Sequence, residues 1–227
     1  KNSKSLVDVF NMHADKKPHH KIFFFKKKNI WVSNSFLEIK KRVEKIKVYL
    51  INNGIRKGDR VFLLSNNRIE WVEFDLAIMS VGAITVPSFV TNNQSDNAFI
   101  LNDCKPSFLI LENESIFKKN KSFLKINKNK IITIESSNLF ENYKNILSKT
   151  TTTQVKKILI KKKQISSIIY TSGTTGNPKG VVLTHESIMH NLFGALEIMD
   201  EFQLNNERFI SFLPLSHSYE RMAGLYF

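Results

Sequence analysis

Between residues 58 and 112 short apolar runs alternate with helical stretches, and this alternation limits the folds open to the chain more than any other feature. "GDRVFLLS" reads as a turn leading into a buried strand. "RIEWVEFDLAIMSVG" reads as a helix stopped at Gly82, and "AITVPSF" as a short strand with Pro87 near its end. "SDNAFILNDC" reads as a helix capped by Ser95, and "SFLILE" as a further strand. Strand and helix taking turns at this spacing predict βαβ units, hence an α/β fold with mixed, mainly parallel sheets flanked by helices.

The flanks extend the pattern. Residues 5–14 predict a short amphipathic helix with Leu6, Val7 and Phe10 on one side. "KIFFF" and "NIWVS" predict a hairpin turning at residues 26–29. Ser35 is placed to cap "FLEIKKRVEKIKVYLINNG", where Phe36, Ile39, Val43, Ile46 and Leu50 recur every three or four positions and Gly54 ends the helix. Residues 116–163 are rich in Lys, Asn, Ser and Thr. They predict a variable connection, with "IITIE" as its one strand. Beyond it, "QISSIIY" and "GVVLTH" read as strands. "ESIMHNLFGALEIMD" reads as a helix with Ile188, Leu192, Leu196 and Met199 along one face, and "RFISFLPLSH" as a strand entering a loop. Trp71, Phe74 and the "IIY" run are assigned to the core.

Composition excludes some classes of function. The net charge is +14, which suits a polyanionic partner. Yet the lysines are scattered among abundant Asn, Ile and Phe, with no RNA-recognition signature, zinc-finger spacing or basic heptads. The charge is therefore read as compositional drift with solvated faces, and no nucleic-acid partner is expected. The single cysteine, Cys104, can form no intramolecular disulfide and fits a reducing compartment. "HESIMH" sets its histidines five apart, not the four that would put two zinc ligands on one helix face. The longest apolar stretch, residues 74–90, contains Asp75 and falls short of the ~20 residues of a spanning helix.

The chain has 8 glycines, and three of them, Gly173, Gly176 and Gly180, fall in "YTSGTTGNPKGVVLTH", residues 170–185. This stretch joins a strand to a strand. It is neither a Walker A loop, which leads into a helix and reads GxxxxGK[ST], nor a GxGxxG dinucleotide fingerprint. Its chemistry still suits phosphate. Glycines let backbone N–H groups approach an anion, and the hydroxyls of Thr171, Ser172, Thr174 and Thr175 can donate to phosphoryl oxygens. Lys179 adds positive charge, and Pro178 limits collapse of the loop. A flexible polar hairpin is the plain alternative for such residue types.

The ordered string resembles the AMP-binding motif of the adenylate-forming enzymes, which include acyl-CoA synthetases, 4-coumarate ligases, luciferases and peptide-synthetase adenylation domains. "FLPLSHSYERMAG", residues 212–224, resembles the next motif of that family in the form of its long-chain fatty acyl-CoA synthetase branch. "GDRVFLLSNNRIEWVEFDLAIMSVGAITVPSF" resembles its early segment. The resemblance covers about the first third to half of a family member. It implies that residues 1–227 are the N-terminal part of the large AMP-binding domain, with the phosphate loop and LPLSH segment in residues 165–227.

The implied chemistry is ATP-dependent activation of a long-chain fatty acid to an acyl-adenylate. Pyrophosphate leaves, the thiol of CoA then attacks, and AMP is released. By resemblance, Thr171, Ser172, Gly173, Thr174, Thr175, Gly176 and Lys179 hold the phosphates, Thr171 helps hold Mg2+, and Lys179 and His217 are the catalytic candidates, His217 beside the acyl carboxylate. His185, Glu220 and Arg221 are assigned structural roles, with Glu220 and Arg221 pairing with each other or holding the loop. The adenine-binding loop, the ribose-binding Asp and the small C-terminal domain with its lysine have no counterpart here, so residues 1–227 alone are expected to be inactive. A cytoplasmic enzyme is expected, and the basic charge is compatible with peripheral contact to anionic lipid. Three alternatives remain: a superfamily ligase acting on an aryl or other acid, a nucleotide-binding module without turnover, and a nucleic-acid binder.

Overall fold

The computed structural model describes residues 5–151, 158–171, 177–201 and 208–222. Two sheets form. β1 (Lys21–Lys27) and β2 (Ile30–Ser35) make an antiparallel hairpin of their own. Lys28 and Asn29 turn it with φ of 49° and 63°, the left-handed pair that matches strand twist.

The second sheet has seven strands: β3 (Arg60–Leu64), β4 (Ile84–Ser88), β5 (Phe108–Leu111), β6 (Ile131–Thr133), β7 (Glu141–Asn142), β8 (Ile165–Thr171) and β9 (Lys179–Thr184). Their order is β7-β6-β5-β3-β4-β8-β9. Every pairing is parallel except β8 with β9. The alternation over residues 58–112 is thus borne out as parallel βαβ units.

The helices are α1 (Leu6–Lys16), α2 (Phe36–Asn52), α3 (Ile69–Val81), α4 (Gln94–Cys104), α5 (Glu114–Lys119), α6 (Tyr143–Lys149) and α7 (His185–Glu201). Ser35 caps α2 as expected, in a reciprocal capping box with Glu38. The cap of α4 is Asn93, not Ser95. The Asn93 side chain accepts the Asp96 N–H at 2.8 Å, so the helix starts a residue earlier than the expected cap. α3 has no polar face: residues 71 to 81 are all buried, as in a helix enclosed on every side. It packs against α1, α2 and β4. Val61, Phe62 and Leu63 of β3 are fully buried, and each such side chain contributes about 1.5–3 kcal/mol. Trp71, Phe74, Ile169 and Tyr170 lie in the core as assigned.

Three local expectations hold only in part or fail. Within residues 116–163 the expected strand "IITIE" forms as β6, and the chain adds β7 and α6 beside it. A high Lys and Asn content hid these two short elements. Residues 208–212 form no strand, and Phe209, Ile210 and Phe212 are exposed. The predicted stripe of α7 is buried at Ile188 and Leu192 but exposed at Leu196.

Gly82 ends α3 with φ of 79°, and its carbonyl accepts the Gln164 side-chain N–H at 2.8 Å. An added Cβ would lie 2.8 Å from that nitrogen. Gly54 has φ of 90° with open space around it. Both Gly→Ala changes incur about 1–2 kcal/mol of left-handed strain. Gly82→Ala also displaces Gln164, so its urea midpoint is expected to fall further than that of Gly54→Ala. Equal midpoints would show that the Gln164 contact contributes nothing.

Candidate active site

β8 runs parallel to β4, so Thr171 at its end lies at the same edge as the carboxyl ends of β3, β4 and β5. This edge is where α/β sheets bind ligands. β9 returns antiparallel, and Lys179 is the direct register partner of Thr171. Directly opposed residues project from the same face. The hairpin therefore brings a hydroxyl and a cation together, both exposed, at the mouth of the glycine-rich loop. Ser172, Gly173, Thr174, Thr175 and Gly176 lie outside the described residues.

On the other face Tyr170 opposes Gly180. Tyr170 is buried and its hydroxyl donates to Asp103. Burial first, then this bond, pushes its pKa well above the usual phenol value. A Cβ on Gly180 would lie 3.0 Å from the Ile168 Cγ2 methyl and 3.2 Å from the Tyr170 ring. Both side chains crowd this position, a constraint the motif string alone did not reveal.

His217 reaches the same edge by a different route. The Asn67 side chain, just after β3, accepts the Leu215 N–H at 2.7 Å and donates to the Leu213 carbonyl at 2.6 Å. The buried Ser216 hydroxyl donates to the carbonyl of Ser88, the last residue of β4, at 2.9 Å. Between these anchors and Arg221, His217 is exposed, and its Nδ1 accepts the Tyr219 N–H at 3.2 Å.

Arg221 does not pair with Glu220. Its guanidinium grips Asp75 of α3 through Nε to Oδ2 at 3.0 Å and Nη2 to Oδ1 at 2.5 Å, and it lies 5.9 Å from the Trp71 ring centroid. The sequence signal for Asp75 was a carboxylate in a helix with no polar face.

His185 is fully buried as the first residue of α7, and Thr184 and Ser187 make the cap beside it. Among the described residues neither ring nitrogen of His185 has a hydrogen-bond partner. Burial, with the nearby Arg221 charge, pulls its pKa down to about 4. The structural role expected for His185 fits this burial. Cys104 is buried, which pushes its thiol up to about 12 and makes it unreactive. Among the described residues no group of three or more His, Cys, Asp or Glu could hold a metal, and no helix is long and apolar enough to cross a membrane.

A model of the AMP-binding enzyme family matches residues 10–227. The chain belongs to the AMP-binding enzyme family. Among its relatives is the long-chain-fatty-acid–CoA ligase FadD15 of Mycobacterium tuberculosis, 28% identical over 86% of this chain and 34% of that protein. A solved fatty acyl-adenylate ligase of Legionella pneumophila, in complex with acyl adenylate and pyrophosphate, superposes with a TM-score of 0.74 at 28% identity, over 99% of this chain and 37% of that one. The anthranilate CoA ligase AuaEII, in complex with anthranoyl-AMP, shares the fold at 22% identity and a TM-score of 0.72, over 83% of this chain and 36% of that one. This AMP-binding chain spans about a third of the length of the curated relatives it matches.

Proposed function

We propose that the protein containing this chain activates a long-chain fatty acid with ATP, forming an acyl-adenylate and pyrophosphate, and passes the acyl group to CoA. The observation that carries this is the juxtaposition of Thr171 and Lys179 at the mouth of the AMP-binding motif, at the sheet edge shared with the exposed His217. The names of the fatty-acid relatives support the choice of acid.

In this mechanism the loop backbone and the Thr171 hydroxyl bind the triphosphate, and Lys179 follows the charge that builds on the departing pyrophosphate. Mg2+, when bound, neutralises phosphate oxygens, and the exposed Thr171 hydroxyl fits it as a hard oxygen donor. His217 orients the acyl carboxylate for in-line attack at the α-phosphorus. Positioning and electrostatics supply the rate, because both reactants are anions.

ATP–pyrophosphate exchange by the full-length gene product tests this with palmitate, 4-coumarate and an amino-acid mixture. Exchange with palmitate alone is expected, with His217→Ala reducing kcat/KM for palmitate at least tenfold. Exchange with another acid would move the substrate and keep the chemistry. ATP binding without exchange for any acid would leave a nucleotide-binding module.

A further inference from the structure

We propose that Asp75 and Arg221 are positioning residues that set the place of His217 in the carboxylate site. This rests on the proposed function only for its kinetic readout.

Asp75 is fully buried in a helix whose residues 71 to 81 are all buried, Glu73 among them, and the Arg221 side chain is 2% exposed. Taking both charges out of water costs several kcal/mol per ion. An apolar pair of the same volume would suit this core as well or better. What an apolar pair lacks is direction. A planar guanidinium in a two-point fork accepts one orientation of its partner.

That orientation bears on His217. Arg221 lies one helical turn beyond it, and the Arg221 N–H donates to the His217 carbonyl at 3.0 Å. On the other side, the adjacent Ser216 is held to β4 at 2.9 Å. His217 is thus exposed between two buried anchors, one on each side in sequence. Among the described residues its ring accepts one hydrogen bond, from the Tyr219 N–H, and the backbone anchors on either side set where the imidazole lies. A shift of about 1 Å at a reacting group can lower rate on the order of 10²-fold.

The test compares wild type with Asp75→Leu/Arg221→Met, which removes both charges and keeps the volume filled, and with Arg221→Lys, which keeps the charge and loses the fork. The double variant is expected to melt within a few degrees of wild type. Its kcat/KM for palmitate should fall by at least tenfold while KM for ATP stays within twofold. Arg221→Lys should fall between them. Amide hydrogen exchange of residues 215–221 should speed up in the double variant, with β3 and β4 unchanged. A double variant with wild-type kinetics and wild-type exchange in that segment would overturn the proposal. A general loss of protection across β3 and β4 would also overturn it, because the pair would then be serving stability alone. If wild type activates no carboxylate, the proposed function fails, and the hydrogen-exchange comparison still decides whether the pair positions the loop.

Discussion

Lys179→Ala in the full-length protein is expected to lower carboxylate-dependent ATP–pyrophosphate exchange by about 10²–10³-fold, the scale of losing one preorganised donor to a developing anion. The side chain is exposed at the start of β9, so its removal opens no cavity and the melting temperature should stay near that of wild type. The loss should fall on kcat more than on KM for ATP, because charge on the leaving pyrophosphate grows in the transition state. Lys179→Arg should recover part of the rate, since a cation remains opposite Thr171. Exchange by Lys179→Ala within threefold of wild type would remove Lys179 from the catalytic role.

The second large effect concerns stability. Glu73, fully buried in α3, accepts the Arg42 Nε–H at 2.6 Å and the Tyr143 hydroxyl, which ties α2, α3 and α6 together. Arg42→Met leaves that carboxylate buried without its cation, a change that costs about 3–5 kcal/mol. The lower end is expected here, because 24% of the Arg42 side chain remains exposed. Adding Glu73→Gln to Arg42→Met should restore much of the loss. Urea unfolding of the two variants checks both values. A loss below about 1 kcal/mol for Arg42→Met would mean that Glu73, whose pKa burial already raises to about 7, takes up a proton once Arg42 is gone.

The same carboxylate gives a pH signature. Burial pushes Glu73 from 4.5 to about 7, against the pull of Arg42 and Tyr143. The folded state therefore binds more protons than the unfolded state between those values. The stability this provides is complete below about pH 4.5 and is lost as pH rises through about 7. His185 acts in the opposite direction. Its folded pKa of about 4 lies below 6.5, so its contribution is present above pH 6.5 and is lost as pH falls through about 4. Between pH 5 and 6.5 the two slopes oppose each other. Relative to wild type, Glu73→Gln should lose stability on acidification and His185→Gln should gain it. Urea midpoints at pH 5.0 and 7.0 measure this, and parallel curves for the three proteins would refute both assignments.

The sequence by itself determined the parallel βαβ frame, because alternating apolar runs of strand and helix length have few other ways to bury their faces. It also determined the family, because the ordered string "TSGTTGNPKG" is a local motif whose recognition does not depend on distant residues. Local signals failed where the deciding partner is distant. Nothing near Arg221 tells that its guanidinium seats on Asp75, 146 residues away. The sequence suggested only that Arg221 pairs with the adjacent Glu220 or holds the loop. Nothing beside Gly180 tells that antiparallel register sets it opposite the Tyr170 ring. β7, at two residues, is too short for a periodic signal and exists because a sheet edge was there to pair with. Residues 208–212 carry a strand-like pattern and join neither sheet among the described residues. Local chemistry is written in the chain, whereas charge pairing, strand pairing and close approach depend on which residues folding makes neighbours.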